Sequence, residues 1–167
     1  IDDDAVGKAL QEAQLDRFMI CMSMGYPDER SEIDIAKGRS VRFGTEQIQC
    51  VLQADELEQM QNEIEQVYVH DSLYAYIVHL SQATRENAYI ELGISPRGSI
   101  ACTKMARARA FLHGRDYVLP EDVAEVFPEV AKHRMLLNTK ARVTHVSPEA
   151  VIAEVLESVR PPVSYSR

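Results

Sequence analysis

The chain has 167 residues, 46% of them hydrophobic and 26% charged, a globular balance that excludes a disordered or low-complexity class. Its net charge of -8 excludes a domain-wide basic footprint for nucleic acid, and no apolar run approaches the ~18 residues of a membrane-spanning helix. Three scattered cysteines, Cys21, Cys50 and Cys102, show no CxxC spacing; they argue against a disulfide framework or a zinc site, fit a reducing cytoplasm, and read as small buried apolar residues.

Residues 1–10 read as a tail, and the opening Ile1-Asp2-Asp3-Asp4 is acidic, unlike a signal peptide. After Gln14-Leu15-Asp16-Arg17-Phe18 comes the apolar run Met19–Met24, bounded by Gly25-Tyr26-Pro27. Its length and turn signals predict a buried strand. A lone strand cannot satisfy its own backbone, and nothing downstream offers a clear parallel partner. The chain is therefore expected to be part of a larger protein. Asp28–Gly38 reads as a helix, with acids in its first turn, Lys37 in its last and a glycine stop. A loop follows over Arg39–Gln49, and Gln49–Leu52 is briefly extended.

From Ala54 to Val67, Leu57, Met60, Ile64 and Val67 form one helical stripe, and the opposite face is acidic. Asp71 or Ser72 caps the next helix, which runs to about Arg85 with Leu73, Tyr76, Ile77 and Leu80 inward. His70 and His79 are not at metal-ligand spacing. A fourth helix starts after Ser95 and carries Ile100, Ala101, Met105, Ala108 and Leu112 on one face. Arg97, Lys104 and Arg107 lie within about 80° of one another on its wheel. Gly114 ends it, and Arg115–Leu119 is a short extended link. Pro120 opens another helix, which Pro128 is expected to interrupt. Ser147-Pro148 caps and starts the last helix, striped by Val151, Ile152, Val155, Leu156 and Val159 and stopped by Pro161-Pro162. The expected architecture is mainly α, a compact bundle preceded by one orphan β-strand. Its divisions fall at residues 1–27 (tail and strand), 28–52 (connecting helix and loop), 53–162 (helical domain) and 163–167 (loose tail).

Catalytic motifs are missing. There is no GxxxxGK[ST] phosphate loop, no GxGxxG, HExxH or GxSxG, and the five histidines are scattered. Two cations stand in distinctive settings. Arg17 sits beside Asp16 at the entry to the expected strand. Arg97 follows Ser95, a good N-cap whose hydroxyl suits first-turn N–H groups, and Pro96, which suits the first helical position. A cation at the positive end of a helix dipole is disfavoured by about 0.3–1 kcal/mol. Pairing with Glu91 is the plain explanation of Arg97. A bound phosphate is the other, because exposed N–H groups, the dipole and a guanidinium fork all favour an anion.

Several runs, taken together, resemble the MoxR family of AAA+ ATPases. Glu12-Ala13-Gln14-Leu15-Asp16-Arg17-Phe18 with Gly25-Tyr26-Pro27 resembles the end of the family's ATPase core. Leu92-Gly93-Ile94-Ser95-Pro96-Arg97 is similar to its second sensor motif. Val67–Ser72, Gly114–Val123 and His133-Arg134-Met135 match runs of its helical lid. The resemblance covers about Glu12 to Pro162. It implies an AAA+ C-terminal helical lid preceded by one residual strand of the core.

By the same resemblance, Arg97, with Ser95 and Pro96, would meet the γ-phosphate of ATP as the second sensor. Arg17 would be the arginine finger toward a neighbouring subunit's nucleotide, the alternative being an arginine paired with Asp16. ATP and Mg2+ would be cofactors of the full-length protein, with none bound by this piece. The phosphate loop, the Walker B acids and the first sensor would lie upstream, so the piece alone should not hydrolyse ATP. Partners would be the other subunits of a homo-oligomeric ring and a remodelled client, a von Willebrand A-type domain protein being the candidate. Two alternatives stay open: a helical protein-interaction module without an ATPase role, and the lid of a magnesium-chelatase-type subunit. Gln11 stands where the family has proline, and Leu119 where it has a Thr or Ser cap.

Overall fold

The computed structural model describes residues 14–38 and 49–163. The tail over 1–10, most of the loop expected over Arg39–Gln49 and the end of the chain after Val163 lie outside the described residues. In chain order the elements are α1 (Glu29–Ala36), α2 (Ala54–Gln66), α3 (Asp71–Glu86), β1 (Ile90–Leu92), α4 (Pro96–Leu112), α5 (Pro120–Ala131), β2 (Leu136–Leu137), α6 (Thr139–Val143) and α7 (Pro148–Ser158). The fold is mainly α, with a two-stranded sheet in which β1 and β2 run antiparallel.

The chain divides into two compact units, one of residues 1–21 with 63–167 and one of residues 22–62. Within the smaller unit, Asp28 caps α1, its Oδ1 accepting from the Ser31 amide at 2.7 Å. That bond holds the Asp28 carboxyl below its usual range. The α1 helix has no buried residue.

The core of the larger unit lies between α3, α4, α5 and α7. Leu73, Ile77 and Leu80 of α3 meet Val123, Phe127 and Val130 of α5 and Ile152 and Val155 of α7. Each large side chain buried this way contributes about 1.5–3 kcal/mol. The α4 helix packs most extensively on α5. Its buried face is Gly98, Ala101, Cys102, Ala106 and Ala110. Small residues let the two backbones approach. Of the face expected on this helix, Ala101 is buried, but Ile100 is 60% and Leu112 76% exposed. Cys102 is buried as expected, but Cys21 and Cys50 are exposed.

Three local expectations change. Pro128 does not interrupt α5, which runs through it to Ala131. A proline inside a helix costs about 3 kcal/mol, and the burial of Phe127, Val130 and Ala131 around it offsets that cost. Neither Asp71 nor Ser72 caps α3; His70 does, its ring accepting from the Ser72 amide at 3.2 Å. Residues 19–24 form no strand among the described residues. Their Cys21 amide bonds the Glu129 carbonyl at 3.0 Å, but no described strand lies alongside to complete a ladder.

Three elements, β1, β2 and α6, had no expectation. The register of β1 and β2 pairs Ile90 with Leu137 and Leu92 with Leu136. Asn138 then caps α6, accepting from the Ala141 amide at 3.0 Å while its side-chain amide donates to the Ala88 carbonyl at 2.9 Å.

Candidate functional site

The start of α4 brings together the residues singled out in the sequence. Ser95 is the N-cap and Pro96 the first helical residue. Ser95 does not cap with its side chain. Its hydroxyl turns away and donates to Asp16, 3.2 Å from Oδ1 and 3.1 Å from Oδ2. The carboxylate is the stronger acceptor, which draws the hydroxyl off its own helix. Arg97 projects from the same turn with its side chain 60% exposed, and its Nη1 stands 4.0 Å from Asp16 Oδ2. Asp16, not Glu91, is its acidic neighbour. An exposed pair at that separation is worth about 0–1 kcal/mol, so Arg97 is held weakly.

Arg17 is exposed. Asp16 is committed to Ser95, Arg97 and Arg134, so the alternative of an Arg17–Asp16 pair is not realised. Among the described residues the Arg17 side chain has no polar partner. The cationic wheel of α4 divides: Lys104 is exposed, whereas Arg107 donates to the Tyr74 hydroxyl at 3.2 Å.

Sequence reasoning did not identify Arg134 as a site residue. Its side chain is 1% exposed. Nε donates to Asp16 Oδ1 at 3.2 Å, and Nη1 donates to the carbonyls of Met19 at 3.1 Å and Val130 at 2.6 Å. Nη2 donates to the carbonyls of Asp16 at 3.2 Å and Phe18. Burial pulls this guanidinium below the usual arginine value, with Asp16 opposing. Next to it, His133 Nε2 lies 3.0 Å from the Phe18 carbonyl. A carbonyl only accepts, so Nε2 carries the proton. Burial lowers the His133 pKa against the opposing pull of that bond. Gly98 makes room first for Ile94, whose Cγ2 a Cβ built there would strike, and then for the Arg134 stem, whose Cδ would stand 3.1 Å away.

A second polar cluster lies between α4 and α5. Arg115 clasps Asp122 through two bonds of 2.6 Å, which raise the guanidinium pKa. Asp122 Oδ2 also accepts from the Leu119 amide at 2.8 Å. Leu119, standing where a Thr or Ser cap was expected, is thus served by Asp122 three residues on. Among the described residues there is no group of three or more His, Cys, Asp or Glu side chains that could hold a metal. No helix among them is long and apolar enough to cross a membrane.

Residues 82–155 match the AAA lid domain family. The chain is 36% identical over 162 residues to the chaperone MoxR1 of Mycobacterium tuberculosis, covering 92% of this chain and 42% of that protein. The chain carries a MoxR-type AAA+ lid domain. The chain that holds this lid is also 39% identical over 157 residues to the uncharacterized protein YeaC of Bacillus subtilis, covering 94% of this chain and 49% of YeaC. A solved structure from Cytophaga hutchinsonii, named as a candidate ATPase, superposes with a TM-score of 0.77 at 34% identity, covering 90% of this chain and 48% of that one. The chain spans about half the length of the curated relatives it matches. The matched lid residues include α4, so Arg97 lies in the lid, whereas Asp16 comes from the segment before it.

Proposed function

We propose that this lid belongs to a ring-forming ATPase that couples ATP binding and hydrolysis to the remodelling of partner proteins, and that Arg97 is its second sensor. The observation that carries this reading is the exposed Arg97 guanidinium at a helix start whose cap hydroxyl has turned elsewhere. The helix dipole, the Arg97 amide and a weakly held guanidinium together favour a phosphate. A terminal phosphate of ATP, held with Mg2+ by a nucleotide-binding core outside these residues, fits that charge. Arg17, exposed and without a polar partner among the described residues, is the finger that would stabilise charge on a neighbouring subunit's transferring phosphoryl group. Remodelling fits the name of the relative MoxR1, a chaperone. A von Willebrand A-type domain protein remains the candidate client.

The test is Arg97→Ala in the intact ATPase. Removing one donor from a developing charge costs about a hundred- to a thousandfold at strong sites, and an exposed sensor should cost about tenfold or more. The thermal midpoint should fall by no more than about 4 °C, because the lost ion pair is exposed and long. Unchanged ATP turnover would overturn the assignment. The 167-residue chain alone should release no phosphate from ATP, and measurable release would point to a site elsewhere.

A further inference from the structure

We propose that Asp16 and Arg134 are positioning residues for Arg97: together they clamp the start of α4 to the segment Asp16–Met19. This rests on the reading of Arg97 as the residue that meets the nucleotide. The clamp is directional. The Arg134 fork takes the carbonyls of Asp16, Phe18 and Met19 on one side and the Val130 carbonyl at the end of α5 on the other. Burying a guanidinium costs several kcal/mol unless its donors are satisfied, so an apolar residue would anchor the segment at lower cost. What arginine adds is a planar fork that fixes where three carbonyls stand.

Asp16 joins that fork to the sensor. One carboxylate receives Arg134 Nε, receives the Ser95 hydroxyl and faces Arg97 Nη1. The start of α4 therefore keeps a set position against the chain that enters at Asp16. Gly98 contributes to it, since a Cβ there would meet Ile94 first and the Arg134 stem next. The asymmetry of the contacts matters for function. Asp16 is held closely by Arg134 and Ser95, at 3.1–3.2 Å, but loosely by Arg97, at 4.0 Å. A phosphate can take Arg97 from Asp16 without opening the clamp.

The experiment compares Arg97→Ala, Asp16→Asn and their double variant in the intact ATPase. Asp16→Asn should lower kcat about three- to tenfold with little change in KM for ATP, and the double variant should be no slower than Arg97→Ala alone. Effects that multiply in the double variant would mean that Asp16 acts without Arg97, and the inference falls while the sensor reading stands. Unchanged turnover in Arg97→Ala overturns the sensor reading and this inference with it. In the 167-residue chain, Arg134→Lys should speed amide hydrogen exchange at Cys21 about tenfold, since its bond to the Glu129 carbonyl lies just beyond the clamp. Unaltered Cys21 exchange would sink the clamp directly.

Discussion

Asp122→Ala tests how the lid is locked between α4 and α5. The Asp122 side chain is 3% exposed, and it accepts both forks of Arg115 and the Leu119 amide. Arg109 Nε lies 3.7 Å from it as well. Breaking a buried ion pair by removing one partner costs about 3–5 kcal/mol. Arg115 is 21% and Arg109 31% exposed, so both can recover some water, which places the expected loss at the lower end, about 3 kcal/mol. For a domain of this size that lowers the thermal midpoint by about 6–12 °C. The assay is thermal and urea unfolding of the 167-residue chain followed by circular dichroism. A double variant, Arg115→Met with Asp122→Leu, should regain most of the loss, because an apolar pair of similar volume replaces the buried charges at little net cost. A loss below about 1 kcal/mol in Asp122→Ala, or a double variant no more stable than the single, would refute this account of the lock.

Lowering the pH should weaken the larger unit through His133. Burial depresses its folded-state pKa below the ordinary value of 6.5, so the neutral ring is the form the fold favours. The stabilisation is complete above pH 6.5 and is lost as pH falls through the depressed value, with Arg134 adding to the effect and Asp16 opposing it. Urea midpoints measured downward from pH 7.5 should fall, and His133→Gln should flatten that slope; an unchanged slope would count against the assignment. Thiol chemistry gives a separate check. Burial pushes the Cys102 thiol up to about 12, while Cys21 and Cys50 are exposed. Iodoacetamide at pH 8 should label Cys21 and Cys50 in the folded chain and reach Cys102 only on unfolding, as peptide mass spectrometry will show.

Much of the lid was legible in local chemistry. Proline at the first helical position marked α4, α5 and α7, and apolar spacing marked the buried side of α3. The orientation of α4 was legible only in part, because size misled at two positions. Ile100 and Leu112 look like core residues, yet the smooth face of Gly98, Ala101, Cys102, Ala106 and Ala110 is the one that fits against a neighbour. Strands of three and two residues leave no period to detect, so β1 and β2 were missed. Ser95, Pro96 and Arg97 read in the sequence as one helix start, which the structure has, but the acid beside Arg97 was not legible. Asp16 lies 79 residues from Ser95 and 118 from Arg134, separations that no local pattern reports. Arg134 showed only as one residue of a family-like run, since a buried arginine and a surface one read alike in sequence.

The larger unit is discontinuous: its chain departs after Cys21 and resumes at Glu63. The short stretch before that departure is held to the rest of the unit by the Arg134 fork on the carbonyls of Asp16, Phe18 and Met19 and by the Cys21 amide on the Glu129 carbonyl, polar bonds that join residues more than a hundred positions apart in the chain.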